Sequence, residues 1–306
     1  MSLITVGTMA FDAIETPFGK ANKIVGGSAM YAAYAASYFV KPVKQISIIG
    51  YDFPQEELIA MENRGVKMEG VERVKNKKSF FWKGKYHEDM NSRDTLITDL
   101  NVLADFNPVV PQSYQNAEFV MLGNLMPKLQ ISVIDQLKKK PKLVVMDTMN
   151  FWMETAMDDL QKVLKRVDLL MVNDAEAREL TQHFSLVKAA KKIMEMGPKY
   201  LIIKKGEHGA LLFHKNKVFY APAFPLEDVF DPTGAGDTFA GGFIGYLAKI
   251  GSVSFENMKK AIIMGSVMAS FCVEKFGNTR LKELTRADVN KRLKQFKELT
   301  NFETTL

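Results

Sequence analysis

At 306 residues, 47% hydrophobic and 25% charged, the chain suits one large globular domain with room for a small appendage. No apolar run reaches the length of a membrane span, and Met1 to Gly7 reads as a strand, not a cleaved leader with a basic start. The net charge of +6 is spread over lysine groups at 138–140, 191–192, 204–205 and 259–260, with no helix-turn-helix, zinc or RNA-binding signature, so a nucleic-acid partner is set aside in favour of a mild field that draws in an anionic nucleotide.

Strand-like and helix-like segments alternate through most of the chain. Residues 3–7 are a predicted strand, 28–39 a helix rich in Ala and aromatics, 45–50 a strand and 54–63 a helix. Further on come 118–123 (strand), 128–139 (helix), 142–147 (strand), 154–166 (helix) and 168–172 (strand). The strands are continuous apolar runs, as strands covered on both faces are. The pattern predicts an α/β fold with a mostly parallel central sheet and helices on both faces.

Two regions break the alternation. From Val66 to Phe106, the runs Ser79 to Tyr86 and Thr95 to Thr98 read as short antiparallel strands with no helix between them. Such a small sheet, projecting from an α/β body, is able to act as a lid over a ligand. From Tyr200 to Pro222, a strand at 201–203, a turn at 206–209 and two more apolar runs read as a hairpin series. Residues 255–275 and 286–296 are helical. The single cysteine, Cys272, lies in an apolar helical context and has no partner for an internal disulfide, so a reducing cytoplasm is its expected setting.

The most informative stretch is Asp231-Pro-Thr-Gly-Ala-Gly-Asp-Thr-Phe-Ala-Gly-Gly242. Turn formers run into an apolar helix that starts near Ala235. The first amides of that helix have no partners inside it. Gly234 and Gly236 carry no Cβ, so an anion can approach those donors, and the helix dipole adds positive charge at the same point. Asp237 sits beside this anion hole, where its own charge opposes a bound phosphate. Its plausible task is to take a proton from a hydroxyl that attacks the phosphoryl group.

Other positions carry weaker signals. Asp12 follows the first strand and is able to accept hydrogen bonds from adjacent hydroxyls of a polyol; its bland alternative is a loop acid or helix cap. Gly26 and Gly27 precede the first long helix and permit close approach of a polar ligand, or merely a turn. Asn173 and Glu176 have the spacing of a capping box. Lys204 offers a cation to a polyphosphate, or is a solvated strand end. Asn150 lies just past the strand 142–147, where ligand crevices form.

The stretch 231–242 resembles the C-terminal signature of the ribokinase-like (PfkB) carbohydrate and nucleoside kinases, and the likeness extends from Gly7 to about Asn290. It implies one ribokinase-like kinase domain over 1–306 with a β-lid within about 66–106. It implies Asp237 as catalytic base and an anion hole of Gly234, Ala235, Gly236 and the Asp237 amide. It implies Asp12, Gly26 and Gly27 on the substrate. It implies that Asn173 and Glu176 organise Mg²⁺ and phosphates through water and that Gly206 and Gly209 lie under ATP as co-substrate. It implies further that Asp231 and Thr233 adjoin a monovalent-cation site, usually K⁺, with Pro232 offering its carbonyl. Members commonly have Asn where this chain has Tyr31, and Thr where it has Lys204. The family's Asp-x-Asn with a nearby Arg is not cleanly matched, and Arg93 in the lid is the candidate to compensate. The expected activity is ATP-dependent phosphorylation of a small sugar, in a homodimer formed through the lid. The rivals are a nucleoside kinase, with Tyr31, Phe80, Phe81 or Trp82 stacking a base, and a non-catalytic sensor.

Overall fold

A computed structural model describes residues 1–301. In chain order it contains β1 (Leu3–Val6), β2 (Ala10–Thr16), β3 (Gly19–Gly26), α1 (Ser28–Ser37), β4 (Val43–Ile49), α2 (Gln55–Asn63), β5 (Val66–Arg73), β6 (Phe81–Tyr86) and β7 (Arg93–Asp99). There follow β8 (Phe119–Leu122), α3 (Pro127–Asp135), β9 (Leu143–Asp147), α4 (Asn150–Thr155), α5 (Met157–Leu164), β10 (Leu169–Asn173), α6 (Asp174–Thr181), α7 (Leu186–Glu195) and β11 (Tyr200–Lys204). The chain ends in β12 (Ala210–His214), β13 (Lys217–Ala221), α8 (Ala235–Ile250), α9 (Phe255–Cys272), α10 (Thr279–Glu283) and α11 (Arg286–Thr300).

Nine strands form the main sheet in the order β13-β12-β11-β10-β9-β8-β1-β4-β5. The strands from β11 to β5 are parallel, and β12 and β13 close one edge antiparallel. The core strands are buried because both faces are covered. Leu169, Met171, Leu201 and Ile203 are all fully enclosed, alternating between two apolar layers. On one layer α8 packs closely against α1. A Cβ on Gly241 would lie 2.2 Å from the Ala32 carbonyl oxygen, so the small residues of the signature let the two backbones meet. Strand order diverges on either side of β1, towards β4 one way and β8 the other. That divergence is a topological switch point, and in open α/β sheets ligands bind outside the C-terminal ends of the strands at such a point.

The lid is larger than the sequence indicates and starts earlier. It is a four-stranded sheet, β3-β2-β6-β7, so half of it comes from residues 10–26 and not from 66–106. Val66–Arg73 is instead an edge strand of the main sheet, paired with β4. Two antiparallel hairpins are joined by a parallel β2–β6 pair, so the lid is not wholly antiparallel. The difference arises at β3, a partly exposed, lysine-bearing edge strand with little apolar periodicity. The helix read at 154–166 is two helices broken at Ala156, where φ is −145° and ψ 37°. The helix read at 128–139 stops at Asp135.

Candidate active site

β9, β10 and β11 end side by side at Asp147, Asn173 and Lys204, with Met171 opposite Asp147 and Asn173 opposite Lys204. The N-terminus of α8 meets this edge. Its N-cap, Gly234, is left-handed (φ 76°), and no side chain caps the helix. A Cβ on Gly234 would also stand 2.4 Å from the Tyr31 ring, so only glycine satisfies both the turn and the packing. The Ala235 amide is not free, because it donates to the Pro232 carbonyl at 3.1 Å, closing the turn. Of the four amides expected in the anion hole, that of Ala235 is therefore taken, while those of Gly234, Gly236 and Asp237 donate to no backbone acceptor and stay candidates.

Lys204 is no solvated strand end. Its Nζ lies 3.0 Å from Asp147 Oδ2, with side chains only 17% and 8% exposed. A Cβ on Gly236 would come within 3.1 Å of the same nitrogen, which puts the ammonium at the mouth of α8. A cation at a helix N-terminus opposes the dipole and gains nothing from it. Asp147 holds it there. Burial pushes the Lys204 pKa down, but Asp147 and Glu176 outweigh it and the net shift is upward, so the ammonium stays charged. Asp237, part-buried beside it, is pushed up to about 7 by burial and then by Asp147, against the pull of Lys204 and Arg93.

Asn173 and Glu176 form a complete capping box. Asn173 Oδ1 accepts from the Glu176 amide at 2.8 Å, and Glu176 Oε2 accepts from the Asn173 amide at 2.7 Å. One Glu176 oxygen is thereby used by the helix. Burial raises the carboxyl to about 7, with Lys204 opposing. Gly206 and Gly209 both have positive φ and form the turn after β11. The tip of the lid rests on that turn: Asn91 Nδ2 donates to Glu207 Oε2 at 3.2 Å, and a Cβ on Gly206 would strike Asn91 Oδ1.

From the lid, Asp12 lies on β2 and is 5% exposed. Gly26 makes room for it: a Cβ there would lie 2.0 Å from Asp12 Oδ2. Burial, then Asp231 and Asp237, push the Asp12 pKa up to about 8. Gly27 serves packing, since its missing Cβ would meet the Thr8 carbonyl oxygen at 2.5 Å. Tyr31 is 1% exposed, between Gly26 and Gly234, with its hydroxyl buried and unpartnered. Its ring fills the floor of the site and is not available to stack a base. Asp231 is fully buried; Oδ1 accepts from the Thr233 amide and Oδ2 from Gly277, stapling the loop 231–234 to 276–278.

Asn150 is not brought into this group. It stands exposed at the start of α4 and makes no hydrogen bond to any of these side chains. The strand end it follows does line the site, but through Asp147. Tyr86 joins the site without a sequence motif to mark it: from β6 its hydroxyl accepts from Thr233 Oγ1 at 3.2 Å, joining the lid to the loop 231–234. Period-two alternation along β6 was the available signal. Arg93, opposite Tyr86, contributes charge at both Asp237 and Glu176.

Among the described residues, no three His, Cys, Asp or Glu side chains are grouped to hold a metal directly. The donor set nevertheless fits a hydrated magnesium ion. Asp147, Glu176 and Asp237 are hard oxygen donors outnumbering the one buried ammonium, and two of them are raised, by burial first and then by the neighbouring Asp147 charge. No helix among the described residues is long and apolar enough to cross a membrane.

The class of protein is defined by this architecture: the fold is ribokinase-like, a large α/β sheet with a small β-lid. Among solved structures it is similar to a nucleoside kinase of Burkholderia thailandensis in complex with inosine, with a TM-score of 0.79 and 22% identity over 98% of this chain and 97% of that one. It is also similar to a ribokinase of Thermotoga maritima, with a TM-score of 0.73 and 22% identity over 96% and 99%. In sequence it is 29% identical to a cytidine kinase of Thermococcus kodakarensis over 250 residues, 80% of this chain and 87% of the relative. The model for the pfkB family carbohydrate kinases matches residues 2–284, and the chain belongs to that family.

Proposed function

We propose that this kinase moves the γ-phosphoryl of ATP to a hydroxyl of a small sugar or nucleoside, with Asp237 as the base. The observation that carries this reading is the meeting of three groups at one point: the open Gly236 and Asp237 amides, the Lys204 ammonium and the raised Asp237 carboxyl. Asp237 takes the hydroxyl proton as the oxygen attacks phosphorus. The bond from phosphorus to the β–γ bridging oxygen breaks, and ADP leaves. The two amides and Lys204 face the charge on the transferring group. A carboxyl near 7 is matched to the task, being largely free of its proton just above neutrality.

When bound, magnesium would neutralise further phosphate charge, and Asp147 and the free Glu176 oxygen are the residues that would hold its water shell. Asp12 is placed to hold acceptor hydroxyls. For a monovalent ion such as K⁺, Asp231, Thr233 and the loop 276–278 adjoin one another, although the Pro232 carbonyl already accepts from Ala235. A homodimer through the lid is supported by β7, an open edge strand with Leu96 and Ile97 about half exposed. The lone buried Cys272 supports a cytoplasmic setting. The cytidine kinase relative favours a nucleoside as acceptor.

The test is ADP formation from Mg–ATP over a panel of sugars and nucleosides, with and without K⁺, for the parent and Asp237→Asn. We expect turnover of at least one panel member and a fall in kcat of roughly 10²–10⁴ in the variant with little change in acceptor binding. Near-normal turnover by Asp237→Asn removes the base. Ligand-induced stabilisation without any ADP release supports the sensor instead.

A further inference from the structure

A cationic cavity lies a helix length away from the reacting groups. It has a volume of about 170 Å³ and is lined by Ser37, Tyr38, Lys41, Arg64, Leu284 and Arg286. α1 and α8 both run towards it from the active site. Their N-termini adjoin Gly27 and the anion loop, and their C-terminal ends carry Tyr38 and Lys249. At 1.5 Å per residue, the 16 residues of α8 span about 24 Å. The two helices stay in backbone contact along the way, since a Cβ on Gly245 would lie 2.7 Å from Ala36 Cα.

The cavity is held in shape from several sides. Arg64 caps the C-terminus of α2 and is half-buried. Its guanidinium lies 4.8 Å from the Tyr38 ring centroid, and Nη2 donates to the Lys282 carbonyl, which engages one of its five donors. Lys41 rests on the next residue: Gly65 has a φ of 89°, and a Cβ there would lie 2.9 Å from Lys41 Cδ. The absent side chain lets the lysine stem lie close to the guanidinium. Tyr38 Oη is 2.7 Å from the carbonyls of both Leu281 and Leu284, which fixes the turn before α11 against α1. Arg286 is the first residue of α11, where the helix dipole disfavours a cation.

Three cations from three segments share this space without an acid to balance them. The carboxylates nearby are engaged elsewhere: Glu57 with Lys282, Glu283 with Lys275, Glu274 with Arg280 and Arg292, and Asp288 in the capping box of α11. Among the described residues, Lys41, Arg64 and Arg286 form no salt bridge with any of them. At the active-site edge, a cation beside a helix N-terminus is met by Asp147. Here no side chain plays that part. A second cavity of about 290 Å³ adjoins the first through Tyr38 and Arg286, and adds Phe39 and Val289 as apolar wall with Lys249 and Asn290.

We infer that these joined cavities bind a small organic phosphate, at a site separate from that of phosphoryl transfer. The phosphate lies among Lys41, Arg64 and Arg286, where guanidinium forks match its oxygens. The organic part extends past Tyr38 into the second cavity. This goes beyond the phosphotransfer reading and does not rest on it.

Calorimetric titration at fixed ionic strength tests the inference, with inorganic phosphate, ribose 5-phosphate and CMP as probes and neither ATP nor magnesium present. The proteins compared are the parent, Lys41→Gln/Arg286→Gln, the charge-conserving Lys41→Arg/Arg286→Lys, and Lys204→Met, which weakens phosphate contacts at the reacting centre. Lys41 and Arg286 are exposed, so the unfolding temperature without ligand should not change in either double variant. We expect at least one ester to bind the parent saturably and more tightly than inorganic phosphate does. Its affinity should fall about tenfold in Lys41→Gln/Arg286→Gln and be kept in the charge-conserving variant and in Lys204→Met. No saturable binding to the parent, or a loss in Lys204→Met as large as in the glutamine variant, would overturn the inference. So would an equal loss in the two double variants, or inorganic phosphate binding as tightly as either ester.

Discussion

The strand-end edge and the lid build their halves of the site by different means. At the edge, backbone and buried charge do the placing. The left-handed Gly234, the open amides of α8 and the Asp147–Lys204 pair are locked by their surroundings and leave little freedom. In the lid, alternation does the placing. Asp12, Trp82, Tyr86 and Arg93 share a face because of strand register, and Trp82 and Arg93 remain partly or largely open to solvent. Phosphoryl chemistry is the same for every acceptor and suits a fixed edge. Acceptor choice is where side chains are free to differ.

If the edge is held by paired charge, breaking the pair is the largest available effect. Asp147→Ala leaves the Lys204 ammonium buried without its partner, and about 3–5 kcal/mol of stability should be lost. The double variant Asp147→Ala/Lys204→Met should recover most of that stability but not turnover, as read by urea unfolding and ADP release. A double variant as unstable as the single one would mean that Asp147 acts through something other than this pair. Gly234→Ala comes next. A Cβ at a left-handed position and 2.4 Å from the Tyr31 ring should cost about 1–3 kcal/mol and disable the anion loop. The corresponding lid change, Gly26→Ala, should displace Asp12 and raise the acceptor KM while ADP affinity stays near that of the parent.

The same contrast explains what was legible in the sequence. The anion loop declared itself because its demands fall on the backbone, and only Gly and Asp in that spacing meet them. The capping box Asn173–Glu176 was readable for the same local reason. Asp147 was not singled out because its partner lies 57 residues away, across β10, and nothing short of the topology brings them together. Strand position alone points to Asn150 instead, and at the start of α4 it stands exposed to solvent. The sequence suggests a Tyr31 ring facing the ligand, but the close approach of Gly26 and Gly234 shuts it into the floor. The first lid hairpin went unseen because β3 is a polar edge, without the apolar alternation that marks a half-buried strand.

Protonation offers a smaller effect that separates the two regions further. Asp12 near 8 and Glu176 and Asp237 near 7 hold protons in the fold that they release in the unfolded chain from about pH 4 upward. The native state then binds more protons across that window, so stability of the ligand-free protein should fall as pH rises from about 4 to about 8. Differential scanning across that range checks the sign. Activity should move the opposite way, with an acid limb in kcat/KM near pH 7 from Asp237. Lys204→Met should push that limb upward, because the ammonium favours the charged carboxylate. An unmoved limb would show that the titrating base is not beside Lys204.

The smallest effect tests the seam between the regions. Tyr86→Phe removes the hydroxyl that accepts from Thr233 Oγ1 and leaves the ring in place. The loss should be about 0.5–1.5 kcal/mol, as for a single neutral hydrogen bond. If the lid closes over the acceptor as a body, that bond is made only when the lid is down. Its loss should then fall on acceptor KM and on hydrogen exchange within β6 and β7, while α8 stays as protected as in the parent. Equal loss of protection in α8 would mean that lid and edge open together, and that the division between a fixed chemical half and an adjustable specificity half is wrong.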